Sequence, residues 1–199
     1  MKKFGAKKSI LMGDLLIVKA IDTLLSIFSD DKFAQNCIIH QCAKTAQGAF
    51  LERELNVYSS VQNCLSVASF KTGALFELVC FLSSYLSAPS GVPEASSFGR
   101  SFGVMFQFQN DLDCFYYQDC LDSEDFVQKN ITLPLIFLRD LYNINLETIF
   151  VLNQSTYSKV RTLIQSSEFR DYALLHLSNF TRRVSDFLYS LHPNFSSHY

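Results

Sequence analysis

This chain is poor in residues that break or cross-link a fold. It has 7 glycines, 4 prolines and no tryptophan in 199 residues. So few breakers argue for long elements with few interruptions. Six cysteines (Cys37, Cys42, Cys64, Cys80, Cys114, Cys120) include no Cys-x-x-Cys pair, and the four histidines are scattered. That excludes the ligand spacing of a structural zinc site, and the thiols read as reduced and mostly buried, as in a cytosolic protein. Neither sign of charge is in excess: 17 Lys and Arg face 19 Asp and Glu, for a net charge of −2. Nothing in that balance points to nucleic acid. No run of apolar residues is expected to span a bilayer. Near the N-terminus Lys2, Lys3, Lys7 and Lys8 precede Ile10-Leu11-Met12, but Asp14 interrupts a run already too short for a signal peptide. The expectation is a cytoplasmic protein with no transmembrane segment.

What is present is apolar and helical. Hydrophobic residues make up 48%, enough to bury a sizeable core. No functional reading attaches to the 19 phenylalanines. From Ser9 to Phe28 apolar residues recur with a helical period, and Ser29-Asp30-Asp31 ends it. A second helix is predicted over about 33–57, with Ile38, Ile39, Cys42, Ala46, Phe50 and Leu51 on its apolar side. A third spans about 61–86. Ala88-Pro89-Ser90-Gly91-Val92-Pro93 reads as a loop, and a fourth helix begins near Glu94. Residues 117–129 are polar, a loop or short helix. Helices over 132–142, 146–152, 156–166 and 169–190 complete an all-α array of one domain, 1–191, with a frayed tail over 192–199. No alternating strand pattern or internal repeat competes.

The chemistry-bearing stretch is Phe106-Gln107-Phe108-Gln109-Asn110-Asp111-Leu112-Asp113-Cys114. At 100° per residue, Gln107, Asn110, Asp111 and Cys114 share a helix face amid Phe102, Met105, Phe106 and Phe115. Polar groups in such surroundings need partners. A hydrated metal with a phosphate is one solution.

With Thr132-Leu133-Pro134-Leu135-Ile136 downstream, this stretch resembles the trans-isoprenyl diphosphate synthases (polyprenyl synthetases). Their second aspartate motif reads Phe-Gln-x-x-Asp-Asp-x-x-Asp. Here Asn110, Asp111 and Cys114 hold the three aspartate positions, so the motif is present but degenerate. The resemblance covers nearly the whole chain. Phe4-Gly5 with Ser9-Ile10-Leu11-Met12-Gly13-Asp14 is similar to a family helix start. Gly48 and Glu52 match a Gly-Gln and acidic pattern, with Ala49 at the Gln position. Lys71-Thr72-Gly73-Ala74-Leu75-Phe76 matches a Lys-Thr-Ala-x-Leu-Phe run, and Gly99 and Gly103 follow. Residues 125–134 resemble Asp-x-x-x-Gly-Lys-x-Thr-Leu-Pro, with Lys129 at the Gly position and Asn130 at the Lys position.

The resemblance implies an isoprenoid-synthase-type helical bundle and a definite reaction. An allylic diphosphate is joined to isopentenyl diphosphate, with Mg²⁺ held by two facing aspartate-rich helices. It implies metal contacts at Asp111, Asn110 and Asp113, and diphosphate contacts at Lys71, Thr72, Gln107 and Lys129. Plainer readings stand beside these. Asp111 can be a satisfied bundle residue, Asp113 a solvated flank, Lys71 a snorkelling lysine and Lys129 a loop lysine. Asn110 is a neutral oxygen ligand at best, and Cys114 suits Mg²⁺ poorly. Asp14 and Glu52 read as structural.

The family's first aspartate motif lies upstream of the Phe-Gly start. No equivalent is found here, since Asp30-Asp31 lacks a third aspartate and Arg182-Arg183 lacks preceding carboxylates. The expectation is therefore the family's C-terminal two-thirds, without the helices that carry that motif. Three functions follow: a prenyltransferase-type chain incomplete and weakly active or inactive alone, a non-catalytic partner subunit of a prenyl synthase, or a helical interaction protein. An apolar wall including Phe102 and Phe106 should be exposed and promote homo- or hetero-oligomers.

Overall fold

The computed structural model of this chain describes residues 5–116, 128–150 and 154–191, and these are helical apart from turns and short connections. Contacts group into two compact units, residues 1–43 and 44–199.

The first unit holds α1 (Ala6–Ile27) and the start of α2 (Lys32–Glu52). The predicted break lies between them. Asp31 caps α2 by accepting the Ala34 N–H at 2.9 Å, and the Gln35 amide donates to the Phe28 and Ser29 carbonyls. Phe28, Ala34 and Ile38 are buried here, whereas Ile10, Leu11, Leu15 and Val18 are exposed. The predicted apolar side of α2 needs correction. Ile39 and Phe50 are exposed, Ala46 is too, and Gly48 is buried instead.

The second unit is built on one continuous helical run. The α3 helix (Val61–Ala68) starts at a capping box in which Ser60 and Asn63 satisfy each other's backbone N–H groups. A π-helical turn, Ser69–Gly73, interrupts it before α4 (Ala74–Ser87). By length and composition this run could cross a membrane, contrary to the expectation above. Half of its most apolar window is buried in the protein, and it carries the ion-paired Lys71 and Glu77, so the fold uses it as a bundle helix. A 3₁₀ turn, Pro89–Gly91, leads into α5 (Val92–Tyr116). The α5 helix runs back along α4, with Arg100 donating to both Glu77 oxygens at 2.6 and 2.8 Å.

Helix α2 ends at Glu52, five residues before its predicted limit. Leu55 and Val57 lie beyond that end and pack on the core from a turn. Asn56 and Ser59 organise that turn through side-chain bonds to backbone N–H groups. Arg139 fastens it, donating to the Val57 and Ser59 carbonyls at 2.8 Å each.

The core centres on α6 (Leu133–Tyr142), which starts with Pro134 in its first turn and stops at Asn143 in the left-handed region (φ 52). Ile136, Phe137 and Leu138 are fully buried. The Phe137 ring meets Phe108 of α5 and Phe169, Tyr172 and His176 of α9 (Ser167–Leu191). Short α7 (Leu146–Ile149) and α8 (Gln154–Ile164) lie between. Of the polar stretch 117–129, expected as a loop or short helix, residues 117–127 fall outside the described residues, as does the tail over 192–199.

Candidate functional site

Two close backbone approaches position the polar groups. A Cβ on Gly48 would stand 2.2 Å from the Lys71 nitrogen, and one on Gly103 would stand 2.7 Å from the Gly73 Cα. Only glycine lets α2 and α5 sit this close to the π turn. The turn is itself informative, because π bulges concentrate at functional sites. Its consecutive residues Lys71 and Thr72 reach in different directions.

Lys71 turns to α2. Its Nζ donates to both Glu52 carboxylate oxygens at 2.8 Å, in a half-buried ion pair. Thr72 turns to α5 and donates from Oγ1 to Gln107 Oε1 at 2.5 Å. Gln107 then donates from Nε2 to Asp111 Oδ1 at 2.7 Å, one helical turn on. A carboxylate can only accept, so the amide has one orientation, and Asp111 is held by a directed line of hydrogen bonds.

Glu52, Lys71, Gln107, Asp111 and Thr132 line one cavity of about 20 Å³, with Cys64 and Phe108 among its apolar walls. Burial, with the Asp111 charge second, pushes the Cys64 thiol up to about 12, so it stays a protonated wall residue. The described cysteines Cys37, Cys42, Cys64 and Cys80 are free thiols.

The structure thus brings Lys71, Thr72, Gln107 and Asp111 together. It does not bring the others to them. Asn110 is exposed and off the cavity. Asp113 accepts from Gln109 at 2.7 Å on the outer flank. Lys129 is exposed in a turn with φ 56, a left-handed conformation that suits the glycine its motif position implies. Arg53 tethers that turn, donating to Gln128 at 2.8 Å and Asn130 at 3.3 Å. Asp14 is exposed on α1. The side chain of Cys114 and all of Cys120 lie outside what is described. Sequence reasoning missed Glu52 as the partner of Lys71, because the 19-residue separation carries no local signal.

Among the described residues no three His, Cys, Asp or Glu side chains cluster as a metal cage. The cavity offers one cation and two carboxylates. A diphosphate needs a further cation there, and hydrated Mg²⁺ characteristically takes one or two carboxylates plus phosphate oxygens. Asp111 is a carboxylate of the kind a divalent cation takes as a ligand.

A family model described as polyprenyl synthetase matches residues 1–165. Decaprenyl-diphosphate synthase of Dictyostelium discoideum is 32% identical over 108 residues, which is 53% of this chain and 23% of that protein. Among solved structures, geranylgeranyl pyrophosphate synthase from Lactobacillus brevis superimposes with a TM-score of 0.76 at 20% identity, over 94% of this chain and 61% of that one. A polyprenyl synthase from Caulobacter crescentus, complexed with calcium and isoprenyl diphosphate, gives 0.75 at 19% identity, over 93% and 60%. The structural likenesses bear out the all-α isoprenoid-synthase bundle. The chain spans under a quarter of the curated relative and about three fifths of these two structures.

Proposed function

The chain belongs to the polyprenyl synthetase family, and from that premise we propose that it carries the second-aspartate half-site of a trans-prenyl diphosphate synthase. Its substrates in this reading are an allylic diphosphate and isopentenyl diphosphate. The observation that carries the reading is the hydrogen-bonded line Thr72–Gln107–Asp111 beside Lys71. Asp111 holds the ion, Gln107 and Thr72 fix its carboxylate, and Lys71 supplies a donor to phosphate. Bound with the diphosphate, Mg²⁺ supplies charge neutralisation that improves the leaving group. The apolar side chains of Leu75, Phe102 and Phe106, partly exposed beside this line, would keep water from a cationic intermediate once covered. A second aspartate set from another polypeptide stretch or another subunit completes the site in this reading, the latter as a homo- or hetero-oligomer.

A second reading, a non-catalytic partner subunit of a prenyl synthase, draws on a specific feature. The motif-facing charge is reduced, with neutral Asn110 exposed and Lys71 already paired to Glu52.

Calorimetric titration with a prenyl diphosphate analogue, with and without Mg²⁺, tests the proposal. Mg²⁺-dependent binding is expected. Asp111→Ala should abolish it while the variant still folds, as read by a cooperative thermal melt; the bond from Gln107 that it gives up contributes about 1 kcal/mol. Folded protein that binds nothing would favour the partner-subunit reading.

A further inference from the structure

The α6 start carries an uncommitted hydroxyl at the site just described. Thr132 is the N-cap of α6, in extended conformation (φ −115, ψ 161), yet its side chain makes no capping bond. Its Oγ1 is buried and has no hydrogen-bond partner among the described residues. Such a group is costly, because a buried hydroxyl left unpaired loses its hydration and gains nothing. Thr132 and Leu133 line the cavity that also holds Lys71, Gln107 and Asp111. The cavity, at about 20 Å³, has room for one oxygen atom's worth of ligand or one water. At the same end of α6 the first-turn N–H groups lack intrahelical partners, and Pro134 has none to offer.

We propose that Thr132 is a diphosphate-binding residue: its hydroxyl, at the positive end of α6, donates a hydrogen bond to one phosphate oxygen that enters this cavity. The assignment rests on the diphosphate reading above and adds α6 to the elements that hold the ligand. The α6 dipole favours an anion there. The carboxylates of Glu52 and Asp111 line the same space, so the contact forms only when a cation accompanies the anion.

The two roles open to this side chain make opposite predictions for Thr132→Val. Valine keeps the shape and removes the unpaired group. If the hydroxyl serves the ligand, the free protein melts at the same temperature or higher, while affinity for inorganic pyrophosphate with Mg²⁺ falls about 10-fold or more, the loss of one charge-assisted bond. Thr132→Ser, which keeps the hydroxyl, should bind within about threefold of the unaltered chain. The experiment is calorimetric titration of Mg²⁺-pyrophosphate into all three proteins, with thermal melts of each. Equal affinity of the valine variant and the unaltered chain would overturn the assignment of Thr132 alone. Failure of the unaltered chain to bind would overturn the diphosphate reading and this assignment with it.

Discussion

At the scale of single residues, burial sets two measurable behaviours. Cys64 has its thiol raised from 9.0 to about 12, first by burial and then by the Asp111 charge. Folding therefore favours the thiol over the thiolate. The full contribution is present below pH 9, and stability falls as pH rises from 9 toward 12 because only the unfolded chain ionises there. Urea melts across that window should show the fall, and Cys64→Ala should flatten it. Lys129 sits at φ 56, where a side chain crowds the backbone. Lys129→Gly should raise stability by about 1 kcal/mol, read as a higher denaturation midpoint. The motif residues were readable in advance where one helix carries them, as Gln107 and Asp111 do one turn apart. Motif position named Glu52 and Thr132 without bringing either to the Gln107 helix, and nothing in the spacing marked Arg53; all three reach the site or its rim from other elements. It also could not show that Asp113 turns to Gln109 and away from the cavity.

At the scale of elements, closeness of helices decides the site. Gly103→Ala would drive a Cβ into the Gly73 backbone and push α5 away from the π turn. Such overpacking should cost about 1–3 kcal/mol and weaken diphosphate binding through the Thr72–Gln107 bond. Gly13 is the control, since nothing lies within 4 Å of its would-be Cβ. There the same substitution should stabilise the exposed helix by up to about 1 kcal/mol. Thermal melts of both variants test the contrast. Helix positions followed the apolar period closely, because most helices bury a stripe against the core. The period misled where apolar residues pack from a turn, as Leu55 and Val57 do, and it overstated how much of α1 and α2 is buried. Nor could it reveal the π turn, since one extra residue in a backbone turn leaves the apolar sequence unbroken.

At the scale of the whole molecule, much apolar surface faces outward. Ile10, Leu11, Leu15, Leu16, Ile17 and Val18 are exposed on α1, and Leu75, Val79, Phe102 and Phe106 on α4 and α5. Surfaces of this kind promote association. Light scattering should report an assembly larger than one 22.7 kDa chain, and a monodisperse monomer would count against this. The π turn also acts as a register offset for the half of the helical run beyond it. A regular α-helix advances each residue by about 100°, so deleting one residue from Ser69–Gly73 would rotate α4 by about that angle relative to α3. Glu77 would swing off Arg100, and Leu75 and Val79 would leave the outer face. The extra residue is therefore a timing mark: it sets which face of the bundle is outward, and loss of one residue there would redraw the surface while changing almost nothing in composition.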